Sequence, residues 1–229
     1  MRQRTGATDR FARAGNPCDT FEVEISSIGL GGILQMPTGA HSLVAFAHGS
    51  GSSRFSPRNR TVADALNGEG IATLLFDLLT PDEEADRRNV FDVSLLADRV
   101  VSAIRWLDGR TAIAKLPLGL FGASTGAAAA IIAAARLPDR VRAVVSRGGR
   151  PDLADHGLDI VKAPTLLIVG GEDIEVLELN KHALSRLSGP KALEVVEGAT
   201  HLFPEPGAME KVRSLAKAWF ERYLTQNPD

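Results

Sequence analysis

The chain has one cysteine, Cys18, in 229 residues. An internal disulfide is therefore excluded, and the expected setting is a reducing, cytoplasmic one. No apolar run approaches the roughly 20 residues that span a bilayer. The longest, Gly126 to Ala135, is alanine-rich and too short. Residues Met1 to Asn16 are arginine-rich and lack the apolar stretch of a secretory signal. An excess of one charge is also missing. The formal net charge of -2 gives no reason to expect nucleic acid or an anionic membrane as partner. The five histidines (His41, His48, His156, His182 and His201) show no H-E-x-x-H or other paired spacing, so no metal site is expected. There is no G-x-G-x-x-G after a strand and no G-x-x-x-x-G-K-[ST], so no nucleotide or other cofactor is expected.

What is present is an ordinary globular balance, 44% hydrophobic and 24% charged. The length suits one large α/β domain. Residues 1–19 read as a flexible leader and residues 20–229 as a single domain. The stretch Phe21 to Ser26 alternates strictly and reads as a half-buried strand, followed by a short one at Gly31 to Met36. Five continuous apolar runs follow: Leu43 to Ala47, Ile71 to Phe76, Leu116 to Phe121, Val141 to Val145 and Thr165 to Val169. Runs without alternation suit parallel strands covered on both faces. A last strand is expected at Leu193 to Val196. Between them the spacing predicts helices from Ser56-Pro57 to Asn67, Val90 to Leu107, Thr125 to Leu137, Val176 to Leu187 and Met209 to Leu224. The alternation of strand and helix predicts a doubly wound, mostly parallel sheet with helices on both faces and an antiparallel edge at its start.

Four motifs fall at the expected carboxyl edge of that sheet. Gly122-Ala123-Ser124-Thr125-Gly126 fits G-x-S-x-G between a strand and a helix, the context of a strained nucleophile elbow. His48-Gly49-Ser50-Gly51 follows another strand and can aim a backbone N–H at that serine. The N–H groups of Ser50 and Thr125 would form an oxyanion hole. Gly170-Gly171-Glu172-Asp173 and Glu197-Gly198-Ala199-Thr200-His201 each follow a strand. Ser, then Asp, then His is the chain order of a serine-hydrolase triad on this architecture. Ser124 is the expected nucleophile, His201 the base and Asp173 the acid that orients it, with Glu172 and Glu175 as rival acids. His48 is expected to buttress its loop rather than act as base.

The elements H-G-S-G, G-A-S-T-G, G-G-E-D-x-x-V and G-A-T-H span Leu43 to His201 and resemble dienelactone-hydrolase-like α/β-hydrolases. Ser50 to Arg60 and Ser146 to Asp152 resemble a bacterial subgroup sometimes fused to a phosphoribosyltransferase domain. The resemblance implies the α/β-hydrolase fold and ester hydrolysis. Its authentic members carry cysteine at the elbow where this chain has Ser124, so the implied activity is that of a serine ester hydrolase of undefined specificity. Between Val145 and Thr165 there is no room for a large cap domain.

The expected function is hydrolysis of a small soluble carboxylic ester, lactone or thioester through an acyl-enzyme. The alternatives are an acyltransferase or perhydrolase with the same triad, or a non-catalytic binding protein of the same fold. The residues do not indicate an oligomeric state. Arg54, Arg58, Arg60, Arg147 and Arg150 cluster near the expected crevice. They either grip an anionic substrate or pair with the acids Asp77, Asp82, Glu83, Glu84 and Asp152. Pairing is the favoured reading, most of all for Arg147, while Arg54 is the more open candidate for substrate.

Overall fold

A computed structural model describes residues 17–25 and 28–224. Eight strands form one sheet: β1 (Cys18–Ile25), β2 (Leu30–Pro37), β3 (Ser42–Ala47), β4 (Ile71–Phe76), β5 (Leu118–Ala123), β6 (Val141–Arg147), β7 (Thr165–Gly170) and β8 (Lys191–Val196). Their order is β1-β2-β4-β3-β5-β6-β7-β8. The pairs β1–β2 and β2–β4 are antiparallel, and all others are parallel. The expected sheet, with its antiparallel edge, is therefore the observed one.

The central strands are buried along their whole length, as their unbroken apolar runs require. Alternate residues feed two cores. Leu43, Ala45 and Ala47 of β3 face one core, and Val44 and Phe46 face the other. The first core is closed by α4 (Val93–Asp108), α5 (Thr125–Arg136), α6 (His156–Ile160) and α7 (Ile174–Arg186). The second is closed by α1 (Pro57–Asn67) and α8 (Ala208–Leu224). Helix α1 starts as its sequence dictates: the Ser56 side chain accepts from the Asn59 N–H, and Pro57 fills the first turn.

Several boundaries differ from expectation. Strand β1 begins at Cys18, so Cys18 and Asp19 pair with Pro37 and Met36 instead of belonging to a leader. Residues 1–16 and Ser26 lie outside the described residues. The segment before α4 breaks into two short helices, α2 (Pro81–Glu84) and α3 (Arg87–Phe91), and α4 starts at Val93 rather than Val90. The cause is local: Thr80 and Glu83 close a capping box, and the Asp86 and Asp92 side chains cap the next two starts. Strand β6 runs two residues past Val145, to Arg147, because Ser146 and Arg147 still pair with β5 and β7. Between β6 and β7 lie only one turn of 3-10 helix (Pro151–Ala154) and α6, so no large cap covers the carboxyl edge. No helix among the described residues is long and apolar enough to cross a membrane.

Candidate active site

Ser124 sits between the last residue of β5 and the first of α5. Its backbone has φ 50° and ψ −124°, a conformation that L residues rarely adopt. Such strain costs on the order of 1–3 kcal/mol and persists only when the surroundings fix it. Here they do. The Ser124 N–H donates to the Arg147 carbonyl at 3.4 Å, and the Ser124 carbonyl accepts from Arg150 and Ala127 N–H at 3.0 and 3.1 Å. The side chain caps nothing and is left to face a crevice. Gly126 is required because a Cβ there would strike the Ala47 and His48 carbonyl oxygens. Gly49 also presses close: its Cβ would lie 2.8 Å from that of Ser124.

The loop after β3 is held from below by His48. Its Nε2 accepts from the Leu78 N–H at 3.1 Å, which leaves Nδ1 to donate to the Gly49 carbonyl at 2.9 Å. Burial pushes the His48 pKa below its usual value and keeps the ring neutral. The geometry is that of a buttress. The Ser50 N–H points towards α5 and donates to the Thr125 hydroxyl at 3.2 Å.

Asp173 stands at the start of α7 yet makes no capping bond, so its carboxylate is free for another partner. That partner is His201, whose Nδ1 is 2.6 Å from Asp173 Oδ2. The carboxylate is mostly buried (15% exposed) and the imidazole less so (39%). The rivals Glu172 and Glu175 are exposed. His201, Ser124, Gly49, Ser50, Arg58 and Arg147 line one crevice of about 250 Å³. A smaller cavity of about 90 Å³ lies across the loop, between His48, Asp77, Leu78 and Leu96.

The arginines divide in a way the sequence did not indicate. Arg54 is bound by its guanidinium and its N–H to Asp77. Arg150 forms a bidentate pair with Asp152 at 2.8 and 2.9 Å, and its pKa is raised by that contact first. Arg147 was the residue most expected to be paired, and it has no acid among the described residues. Its side chain turns into the crevice from the end of β6, only 6% exposed, and its Nε has no hydrogen-bond partner. Burial first, then the nearby positive charge of Arg58, pushes its pKa down to about 10. The inversion follows from the longer β6: a strand residue at position 147 points by alternation, whereas a loop residue could have swung towards Asp152.

No protein-family model matches the chain. A crystal structure of a dienelactone hydrolase from Anabaena variabilis is 51% identical, with a TM-score of 0.89 over 91% of this chain and 100% of that one. The chain belongs to the dienelactone hydrolase family. Members of wider α/β-hydrolase type share only the fold, among them the esterase domain of a Rhodothermus marinus protein (21% identity, TM-score 0.70, covering 90% and 99%). A Mycobacterium tuberculosis protein that bears the name of a phosphoribosyl transferase is 55% identical over 221 residues, which is 96% of this chain and 49% of that protein. The chain spans about half the length of the curated relatives it matches.

This dienelactone hydrolase family member also uses a residue that pattern reading passed over. Asn180 is fully buried on α7, and its Nδ2 donates to the Gly149 carbonyl at 2.9 Å and the Val176 carbonyl at 2.8 Å. It pins the turn that follows Arg147 and whose Arg150 N–H holds the elbow. The available signal was an asparagine three and four residues from the apolar Leu177, Val176, Ala183 and Leu184, on the inward face of a helix.

Proposed function

We propose that this protein is a serine hydrolase acting on a small soluble carboxylic ester, lactone or thioester. Ser124 attacks the acyl carbon, His201 accepts its proton and later returns one to the leaving group, and Asp173 holds the imidazole tautomer and stabilises its cation. An acyl group is carried on Ser124 between the two steps. The observation that supports this most directly is the 2.6 Å His201–Asp173 contact in the same crevice as a serine held at φ 50°.

The N–H groups of Ser50 and Thr125 are the proposed oxyanion donors. The Ser50 N–H is engaged by a neutral hydroxyl at 3.2 Å, and an oxyanion, being charged, is the stronger acceptor. Serine in place of the family's cysteine makes activation by His201 essential, because a hydroxyl is far less acidic than a thiol. The open crevice, with no large cap above it, fits a soluble substrate rather than a long lipid chain. Fluorophosphonate labelling with identification of the modified residue tests the reading. Labelling confined to Ser124, and lost in His201→Ala, is expected. An unlabelled Ser124 in folded protein removes the proposal.

A further inference from the structure

Three arginines near the crevice have an acid, whereas Arg60 is exposed to solvent. Arg54 has Asp77, Arg150 has Asp152 and Arg99 has Glu83. Arg147 and Arg58 have none among the described residues, although both line the crevice that holds Ser124. Their Nε atoms are buried without a partner, and the two are close enough to repel. Among the described residues, no carboxylate lines that crevice. A buried positive charge, with the Phe203 ring 5.8 Å away and a second, half-buried guanidinium facing the same cavity, is costly unless something negative enters it.

The cavity carries further groups suited to an anion. Ser56, Arg58 and Asn59, the first turn of the 11-residue helix α1, line it. That end of a helix has positive potential, although Pro57 has no N–H and the Asn59 N–H is taken by the Ser56 side chain. Ser52 adds a hydroxyl.

We propose that Arg58, Arg147 and the first turn of α1 form a subsite for a phosphate dianion carried by the ester that Ser124 cleaves. The ester part rests on the hydrolase reading above, whereas the phosphate part stands on the lining alone. The charge count selects the dianion. Two guanidiniums and a helix N-terminus, with no acid among them, would keep an excess positive charge around a single carboxylate. A phosphate monoester at neutral pH carries nearly two negative charges and three acceptor oxygens. Arg147 comes from the end of β6 and Arg58 from α1, so the two forks approach from different sides and can each take a pair of oxygens.

The test is calorimetric titration of inorganic phosphate, then of acetate, into the full chain at pH 8 and constant ionic strength. Phosphate is expected to bind at least about tenfold tighter than acetate, as added charge-assisted bonds imply. Arg147→Met and Arg58→Ala should each weaken phosphate about tenfold or more. Arg60→Ala, one exposed charge further along α1, should change it less than about twofold. Phosphate should also slow fluorophosphonate labelling of Ser124. Equal affinity for acetate, or equal loss in all three variants, overturns the subsite in favour of a carboxylate site or a diffuse field. Arg58 is only half-buried, so its variant reads the subsite even where Arg147→Met misfolds. Binding measured in Ser124→Ala separates the two readings. Phosphate bound without labelling of Ser124 sinks the hydrolase alone, and labelling without phosphate binding sinks the subsite alone.

Discussion

The two flanks of Ser124 treat charge and histidine in opposite ways. On the β3–β4 side, Arg54 is closed onto Asp77, and His48 is half-buried, neutral and engaged at both ring nitrogens. On the β6–β8 side, Arg147 is buried without an acid, and His201 has its acid but keeps a ring that opens onto the crevice. The first flank is satisfied within the protein and the second is not. Unsatisfied groups are expected where a ligand completes the structure, because a fold gains nothing from leaving them so.

The largest effect belongs to the residue that both flanks share. Ser124→Ala should reduce turnover of a model ester by on the order of 10⁴ to 10⁶ fold, measured against an unchanged thermal melt. Next, the two histidines should separate. His201→Ala should cost roughly 10³-fold or more in kcat/KM, and His48→Ala less than about 10²-fold, through a loosened loop. The reverse order would exchange the roles of the flanks.

The arginines sharpen the contrast through stability. Arg54→Ala strands the mostly buried Asp77, and should cost about 1–3 kcal/mol after discounting for partial solvent access. Adding Asp77→Ala should recover part of that loss. Arg147→Met removes a buried charge that has no acid among the described residues and only the Phe203 ring at 5.8 Å, and should leave the melt unchanged or raised by up to about 1 kcal/mol. A strongly destabilised Arg147→Met would show that the second flank is satisfied by something internal after all.

The smallest effect is in pH. His48 is held below its ordinary value of 6.5, so the folded state binds fewer protons than the unfolded chain as pH falls. Its contribution is complete above pH 6.5 and is lost as pH drops from there through the depressed folded value. The melting temperature should therefore decline below about pH 6.5, and His48→Gln should flatten that part of the curve. An identical slope in the variant would mean that His48 does not stay neutral.

Much of this was legible in the chain because it rests on local rules. The strand runs 43–47 and 71–76, the Ser56-Pro57 start and the G-x-S-x-G elbow each carry their own short-range cause. The motifs at Asp173 and His201 could be placed at one edge because parallel strands put all their carboxyl ends together. Arg147 could not be read so. Whether it pairs with Asp152 or faces the crevice depends on two further residues of strand pairing to β5 and β7, contacts distant in sequence. Asn180 is the same kind of case, since its partner Gly149 lies 31 residues away. The capped breaks at Thr80, Asp86 and Asp92 were local and could have been read from the side chains alone.

The elbow at position 124 is held entirely by main-chain atoms: its own N–H and carbonyl, two neighbouring N–H groups, and carbonyls packed against Gly126. The side chain contributes no bond to that frame. It behaves as a socket into which a different reactive atom can be fitted without rebuilding the mount. Ser124→Cys should fold with an unaltered melt and place a thiol where the hydroxyl stands. Exchange between a hydroxyl and a thiol at this position then needs one substitution within an unchanged frame.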